Sequence, residues 1–332
     1  MLNIVAGSLT YRIDETWAKF PANGPDGEAV SVACDSRDRV YVFLRGPKPV
    51  QVFWPDGTPV ATWGEGQFHR PHGISLDRHD TVYCTDDFGH AVHILSADGQ
   101  LRRTLGTLGS PSDTGATSID YRSIRRSGPP FHYPTNVAIS AAGQIFAADG
   151  YGNARIHCFS PDGVMLRSWG EPGAGPSQFH VPHGIAIDAA GIIHVCDREN
   201  CRIQQFTPDG QFIGEWTGLA RPSQIVFDRQ GRAFVAELGF RAGRWPGTGD
   251  ARPDETGGRV SVLDPQGNLI ARWGGGDRPC DAGDFYAPHG ICVDSQGAVY
   301  VSEVAWTAGG RAGLVPGQCH TLQKFVPIKE GP

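Results

Sequence analysis

The fold is decided by a stretch that reads PHGIAIDAAGIIHVCDREN, residues 182–200. Apolar residues occupy alternate positions on both sides of a central Asp-Ala-Ala-Gly turn, which is the period-two pattern of two antiparallel strands joined by a hairpin. A proline opens the first strand, and an acidic residue ends the second. The same order recurs in PHGISLDRHDTVYCTDD (71–87), PTNVAISAAGQIFAADG (134–150), PSQIVFDRQGRAFVAELG (222–239), PHGICVDSQGAVYVSEV (288–304) and, without the proline, VSVACDSRDRVYVFLRG (30–46).

Most copies are followed by two more strands around an Asp-Gly turn, as in CRIQQFTPDGQFIGEW (201–216). Six such units predict an all-β fold, a six-bladed β-propeller with one four-stranded blade per unit. The blades begin near residues 30, 71, 134, 182, 222 and 288, and we expect residues 1–332 to form a single propeller. The last unit supplies only three strands, so we predict that residues 11–20, YRIDETWAKF, complete blade six and close the ring.

The composition fits a turn-rich β protein and excludes several functional classes. Glycine occurs 45 times and proline 25 times, and charged residues make up 19% of the chain. No apolar run approaches the roughly 18 residues of a membrane helix, and a net charge of -6 without a Lys/Arg block argues against a nucleic-acid surface. We expect a small-molecule substrate, with no membrane, nucleic acid or obligate protein partner.

The N-terminal residues and the cysteines predict a cytoplasmic protein. Residues 1–17 lack the basic segment, apolar segment and small-residue cleavage site of a secretory signal. The chain has eight cysteines and no CxxC motif, so we expect mostly buried, free thiols, as in a reducing compartment. Five of them lie within apolar strand patterns: Cys34, Cys84, Cys158, Cys196 and Cys292.

Pro-His-Gly occurs three times, at His72, His183 and His289, always at the start of a unit's first strand. These units are blades two, four and six, about 120° apart in a six-fold ring, so the three side chains should converge on the axis. Three imidazoles with an open fourth position are typical of a catalytic zinc site, although Cu, Fe and Ni also accept imidazole. The alternative is a turn repeated by duplication, which alone would not restrict histidine to every second blade. We assign Asn136 and Gln224 to the same position in blades three and five and expect them to contact the substrate.

A second set of residues ends the second strand of each unit: Arg45, Asp86, Asp149, Asp197, Glu237 and Glu303. The acids are explained most simply as turn caps that hold backbone N–H groups. Arg45 breaks the pattern, and a guanidinium near a metal is suited to hold an anionic substrate group, such as a carboxylate, with two hydrogen bonds. Tyr151, two residues beyond Asp149, is expected on the same face of its blade.

With these residues in place, the sequence resembles the NHL-repeat propellers and, within them, the peptidyl-α-hydroxyglycine α-amidating lyases, over roughly residues 30–325. The most specific stretch runs from Pro134 to Gln204 and includes PTNVAIS, DGYGNARI, SWGEPGAGPSQFHVPHGIAI and CDRENCRIQ. The resemblance implies that His72, His183 and His289 are zinc ligands. It also implies that Arg45 is an active-site arginine and Tyr151 an active-site tyrosine.

The sequence departs from that family at three places. Ala287 stands where the family has a Met that lines the substrate site, so we expect Ala287 to contact the substrate. Because the Met is replaced, the substrate need not be a peptide. Gly290 replaces the Asp that contributes to a structural calcium site, which makes calcium binding doubtful. Gly152 replaces a Cys that is disulfide-bonded in secreted members, in agreement with an intracellular protein.

The resemblance to the amidating lyases implies a zinc-dependent lyase that cleaves the C–N bond of an N-substituted α-hydroxyglycine-like (hemiaminal) substrate and releases glyoxylate or a related aldehyde. Tyr151 is the expected base, and because a phenol is ordinarily a poor base at neutral pH, this role requires a cation close by. Two alternatives stay open. One is a metal-dependent hydrolase of the lactonase or esterase type, and the other is a non-catalytic NHL propeller that binds a partner.

Overall fold

The computed structural model describes residues 2–18, 26–241, 256–316 and 319–328. It is a six-bladed β-propeller whose regular secondary structure is almost entirely β-strand, which confirms the predicted fold class. Helical turns are short: α1 (Ala305–Ala308) and the 3-10 turns Tyr121–Ser123, Arg198–Asn200 and Gly310–Ala312. None of the helices in these ranges is long and apolar enough to cross a membrane.

The strands in chain order are β1 (Asn3–Ala6), β2 (Leu9–Ile13), β3 (Glu28–Cys34), β4 (Val40–Arg45), β5 (Val50–Phe53), β6 (Pro59–Trp63), β7 (Pro71–Leu76), β8 (Val82–Asp86), β9 (Ala91–Leu95), β10 (Leu101–Leu105), β11 (Pro134–Ile139), β12 (Ile145–Asp149), β13 (Arg155–Phe159), β14 (Met165–Trp169), β15 (Glu171–Pro172), β16 (Gln178–Phe179), β17 (Pro182–Ile187), β18 (Ile193–Asp197), β19 (Arg202–Phe206), β20 (Phe212–Trp216), β21 (Pro222–Phe227), β22 (Ala233–Glu237), β23 (Arg259–Leu263), β24 (Leu269–Gly274), β25 (Pro288–Val293), β26 (Val299–Glu303) and β27 (Leu322–Pro327). Five blades are four-stranded sheets in sequence order, and the sixth is a five-stranded sheet in the order β1–β2–β27–β26–β25.

The chain divides into two compact units. The middle unit spans residues 63–222 and contains the blades β7–β10, β11–β14 and β17–β20 together with the parallel pair β15–β16. The terminal unit contains the other three blades, within residues 2–62, 223–241 and 256–328. Each unit has its own apolar core, with Phe146, Phe179 and Phe206 at the centre of one cluster in the middle unit and Trp273 and Phe325 in one cluster of the terminal unit.

In blades two, three, four and six, the acid at the end of the second strand holds the loop that leads into the first strand. In blade two, Asp86 accepts hydrogen bonds from the backbone N–H groups of His69 (2.7 Å), Arg70 (2.9 Å) and Gly89 (2.9 Å). In blade six, Glu303 accepts from Tyr286 N at 2.9 Å. In these four blades the acid therefore caps backbone N–H groups as predicted, and the groups it caps include those of the loop before the first strand.

We expect the Asp86 cap to make stability depend on acid pH. Burial alone raises the pKa of Asp86, but the His93 ring and the three backbone donors outweigh it and lower the pKa from 3.8 to about 2. A lowered carboxyl pKa stabilises the fold above the unfolded value, and that contribution, about 2 kcal/mol, is lost as the pH falls from about 4 to about 2. Denaturant unfolding of Asp86→Asn should therefore show a loss of about 2 kcal/mol at pH 7 that shrinks toward pH 2. The exposed turn variant Asp162→Asn is the control, and equal losses at both pH values would contradict this account.

The N-terminal strand pairs with the last blade, as predicted, but within narrower bounds. Strand β2 is antiparallel to β27, with Tyr11 opposite Pro327 and Ile13 opposite Phe325. The strand ends at Ile13 rather than continuing to residue 20, because the Asp14 carboxylate accepts hydrogen bonds from the backbone and hydroxyl of Thr16 and turns the chain. Residues 19 and 20 lie outside the described ranges. Strand β1, which was not predicted, forms an antiparallel hairpin with β2.

Removing residues 1–13 should strongly destabilise the protein. The deletion exposes the edge of β27 to other chains and removes the buried Tyr11 ring, whose centroid is 5.4 Å from that of Trp273. We expect aggregation or a fall in Tm of at least several degrees, measured by thermal unfolding and light scattering. Deleting only residues 1–7 leaves β2 in place and should have a smaller effect. A 1–13 deletion as stable as the parent would show that β2 contributes little.

The cysteines only partly follow the expectation of free thiols. The five strand cysteines and Cys201 are not disulfide-bonded, but Cys280 and Cys319 form a disulfide with a Cα–Cα distance of 4.6 Å. Both lie outside the repeated strands and 39 residues apart, so strand patterning could not show that they meet. The cysteine content therefore gives no support for a reducing compartment, and the cytoplasmic location stays a prediction.

Candidate active site

Two of the Pro-His-Gly histidines lie in the middle unit, at the start of β7 and β17. Both strands open with a proline opposite the acid that ends the next strand, and both ladders then shift register at the histidine. Such a bulge turns one side chain out of the regular alternation of the strand. His72 and His183 are buried, with 1% and 2% of their surfaces exposed, and their ring centroids are 4.9 Å apart.

Tyr151 joins these two histidines. Its hydroxyl lies 3.1 Å from His72 Nε2 and 3.0 Å from His183 Nε2, and the side chain is 2% exposed. The flanking glycines of DGYGN allow this placement, since a Cβ at Gly150 would lie 2.2 Å from the carbonyl oxygen of Pro182 and one at Gly152 would meet the His132 ring. The DGYG motif therefore serves a close approach of the backbone that brings the phenol to the imidazoles.

The hydrogen bonds of the histidines leave one ring nitrogen suited to a metal. His72 Nδ1 is 2.7 Å from the backbone oxygen of Thr135, and since a carbonyl only accepts, Nδ1 carries the proton and Nε2 the lone pair. In the terminal unit, His289 has the same arrangement, with Nδ1 2.7 Å from the Val30 carbonyl oxygen. A backbone carbonyl on the second ring nitrogen is usual for metal-ligating histidines. His72, His183 and His289 are all buried, and each offers one ring nitrogen that could bind a metal ion.

The repeat position equivalent to these histidines differs from the predicted one. In blade three, Pro134 pairs with Asp149 and Asn136 with Ala148, so the residue that corresponds to His72 is Thr135. The Thr135 carbonyl oxygen accepts a hydrogen bond from His72 Nδ1, and the Thr135 hydroxyl donates a hydrogen bond to the His183 carbonyl oxygen at 2.8 Å. The predicted equivalence of Asn136 to the histidines was therefore wrong by one residue. The register shift after Pro134 makes Thr135, and not Asn136, the residue at the histidine position. Asn136 Oδ1 instead accepts hydrogen bonds from the Ser75 hydroxyl and the Val137 backbone.

Arg198 is a site residue that the sequence reasoning did not assign. Its Nη1 donates to the Tyr151 hydroxyl at 3.1 Å, and its Cζ lies 5.2 Å from the centre of the Tyr151 ring. The side chain is 2% exposed, and its Nη2 has no hydrogen-bond partner among the described residues. Burial lowers the pKa of Arg198, but Tyr151 and Glu199 outweigh this and raise the pKa, so the guanidinium is charged.

A signal for Arg198 is present in the repeats. The residue after the acid that ends the second strand is Asp87, Gly150, Arg198, Leu238 or Val304, and Arg198 is the one cation in this series. Comparing that position across blades, rather than only the acid itself, identifies it.

Arg45 and the remaining predicted substrate contacts lie in the terminal unit. Arg45 Nη1 pairs with the Glu28 carboxylate at 2.8 Å and donates to the Thr307 hydroxyl at 2.8 Å, so its charge already has a partner. Gln224 is buried and accepts from the Ile225 backbone, and the Ala287 carbonyl accepts from Val304 N. Substrate contacts by these three side chains stay predictions.

Comparison with known proteins identifies related chains. The model of the NHL repeat matches residues 179–206. NHL repeat-containing protein 3 of Homo sapiens is 31% identical over 339 residues, which cover 96% of this chain and 85% of that protein. Peptidyl-alpha-hydroxyglycine alpha-amidating lyase 1 of Drosophila melanogaster is 31% identical over 209 residues, or 59% of this chain and 36% of that protein. Among solved structures, a streptogramin B lyase has a TM-score of 0.61 at 13% identity, covering 96% of this chain and 98% of its own, a likeness of fold alone.

Proposed function

The chain belongs to the NHL-repeat propeller family of NHL repeat-containing protein 3, whose relatives include amidating lyases, and we propose that it is itself a zinc-dependent lyase. The proposed reaction breaks the C–N bond of an N-substituted α-hydroxyglycine-like substrate. The observation that carries the proposal is the Tyr151 hydroxyl, which two buried imidazoles and one buried guanidinium contact within 3.1 Å. The hydroxyl lies beside the same Nε2 atoms that would bind the metal, so the phenol would stand next to the metal centre and is suited to exchange a proton there.

The donor set fits zinc. Neutral imidazoles held by carbonyl oxygens suit this ion, and we propose His72, His183 and His289 as its ligands. When bound, zinc supplies Lewis acidity that polarises a substrate oxygen and eases loss of its proton.

The protein's own groups account for the proton movements. With Tyr151 in its phenolate form, the substrate R–CO–NH–CH(OH)–COO⁻ gives its hydroxyl proton to the Tyr151 oxygen. The electron pair of the O–H bond forms the C=O bond of glyoxylate, and the electron pair of the broken C–N bond leaves with nitrogen. The Tyr151 oxygen then returns the proton to the departing nitrogen, which gives the amide R–CO–NH₂. No water and no redox cofactor are consumed, so atoms and electrons balance.

Arg198 has two proposed tasks in this scheme. Its Nη1 donates to the Tyr151 oxygen and would stabilise negative charge on that oxygen during proton transfer. Its unpartnered Nη2 is available to an anionic substrate oxygen. We keep Arg45 as a further candidate for the substrate carboxylate, in competition with its ion pair to Glu28.

The test is product analysis with purified, zinc-loaded protein and an N-acyl-α-hydroxyglycine in heavy-oxygen water. The lyase reaction gives the primary amide without solvent oxygen and one equivalent of glyoxylate. A hydrolase instead gives the carboxylic acid with one solvent oxygen or opens lactones and esters supplied in parallel. If neither substrate class is turned over faster than by the His183→Ala variant, the lyase proposal is wrong. That result would favour the alternative of a non-catalytic NHL propeller that binds a partner.

A further inference from the structure

A buried ion triad lies behind Arg198. The Glu199 carboxylate accepts hydrogen bonds from Arg198 Nε at 2.8 Å, from Arg221 Nη2 at 2.9 Å and from Arg221 Nε at 3.1 Å. The side chains of Arg198 and Arg221 are 2% exposed and that of Glu199 is 4% exposed. Exposed ion pairs contribute little to stability, but buried charges like these are costly unless each is fixed by its partners.

The backbone around the triad is held from two sides. Arg198 and Glu199 belong to the 3-10 turn that follows β18, and their N–H groups donate to the carbonyl oxygens of Val181 (3.2 Å) and His180 (3.0 Å). Arg221 directly precedes β21 and has a φ of 57°, a left-handed conformation that is strained for a residue with a side chain. Tyr133 and Val181 adopt the same left-handed φ directly before their first strands, so this turn belongs to the repeat, and it sets the point from which the Arg221 guanidinium reaches Glu199.

The charges do not cancel within the triad. Burial raises the pKa of Glu199, but the two guanidinium groups outweigh it and lower the pKa, so the carboxylate is charged. Two cations and one anion leave one net positive charge in a buried region, next to the Tyr151 hydroxyl that Arg198 contacts. Glu199 occupies Arg198 Nε, and this leaves the Nη1 and Nη2 end of the same guanidinium toward Tyr151.

We propose that Glu199 and Arg221 are positioning residues that act through Arg198. Glu199 fixes the rotation of the Arg198 guanidinium by taking its Nε–H, and Arg221 fixes Glu199 by binding both carboxylate oxygens. The triad places the cation against the Tyr151 oxygen before any substrate arrives. The catalytic consequence rests on the proposed function, whereas the positioning itself is a property of the free protein.

The first experiment needs no substrate. Heteronuclear NMR of arginine Nε–H groups, with the Arg198 signal assigned through Arg198→Lys, reports whether this group is held. In the parent, Arg198 Nε–H should be a distinct, slowly exchanging signal. Arg221→Met, which leaves a balanced Arg198–Glu199 pair and should fold, is expected to broaden or shift it, and Glu199→Gln to merge it with the solvent-exposed arginines. Glu237→Gln, which removes a buried carboxylate bound by Arg259 in the terminal unit, is the matched control and should leave the signal unchanged.

The second experiment measures turnover in the same variants. We expect kcat/KM to fall about 10-fold in Arg221→Met and up to about 100-fold in Glu199→Gln, the range found for groups that orient catalytic residues. Arg221→Lys should recover part of the loss. In an Arg198→Lys background, Glu199→Gln should cost less than about twofold, because its effect passes through Arg198.

The outcomes separate the two proposals. An unchanged Arg198 Nε–H signal in both folded variants, or equal losses with and without Arg198, overturns the positioning role. A changed signal together with no turnover of any α-hydroxyglycine in the parent keeps the positioning role and overturns the proposed function.

Discussion

Tyr151→Phe is expected to lower kcat on an N-acyl-α-hydroxyglycine by about 10² or more, the usual scale for a lost acid or base group, while fold and bound zinc are retained. The substitution removes one oxygen and keeps the ring that packs between His72 and His183. The loss should fall on kcat rather than KM, because the hydroxyl moves a proton in the reaction and is not needed to bind substrate.

A matched control exists in the same unit. Tyr83→Phe also removes one phenolic hydroxyl, which lies 3.3 Å from the Asp77 carboxylate in blade two and does not contact the histidines. It should leave kcat within about twofold of the parent. If Tyr151→Phe retained parental turnover, proton transfer by this tyrosine would be wrong, and the hydrolase alternative would become the leading candidate.

The sequence was sufficient for the fold because the information is repeated. Each blade carries the same alternation of apolar and polar residues around the same hairpin turn. An ambiguous strand pattern in one copy can therefore be interpreted from the others, and six copies predict six blades. The pairing of the N-terminal strand with the last blade followed from counting strands. The extra hairpin strand β1 has no counterpart in the repeats, and the Cys280–Cys319 disulfide joins two loops, so neither leaves a periodic signal.

Candidate site residues could be predicted where one repeat carries an unusual residue type. They could not be predicted where the backbone geometry shifts the correspondence between repeats. Histidine in alternate copies singled out His72 and His183, which the structure brings together, whereas their role as metal ligands stays a prediction. The motif after Asp149 predicted the face on which Tyr151 lies, and its role as the base came only from the family resemblance. The bulge at the start of each first strand displaced the correspondence by one residue, so that Asn136 was assigned in place of Thr135. Arg198 was not predicted, because it follows the acid that ends the strand and lies in a 3-10 turn. The alternation of apolar and polar residues does not reveal such a turn or the contact with Tyr151.

The largest effect is expected from removing the proposed metal ligands. His183→Ala should lower zinc affinity by more than the tenfold that disturbing an outer-shell partner costs, and the His72→Ala, His183→Ala double variant should retain no zinc above background. Turnover should fall with zinc content in both, since the lyase proposal depends on the metal's Lewis acidity. Metal analysis after dialysis and calorimetric titration with zinc measure both effects.

The control for this experiment is another buried histidine of the same blade. His194 is 1% exposed, and its Nε2 lies 3.1 Å from the Asp188 carboxylate rather than beside Tyr151. His194→Ala makes a comparable cavity in the same sheet and should keep stoichiometric zinc even if its Tm falls. Loss of zinc in His194→Ala to the same degree as in His183→Ala would mean that zinc uptake reports general stability. Full zinc in the folded double variant would refute the histidine site, because that variant lacks two of the three proposed ligands.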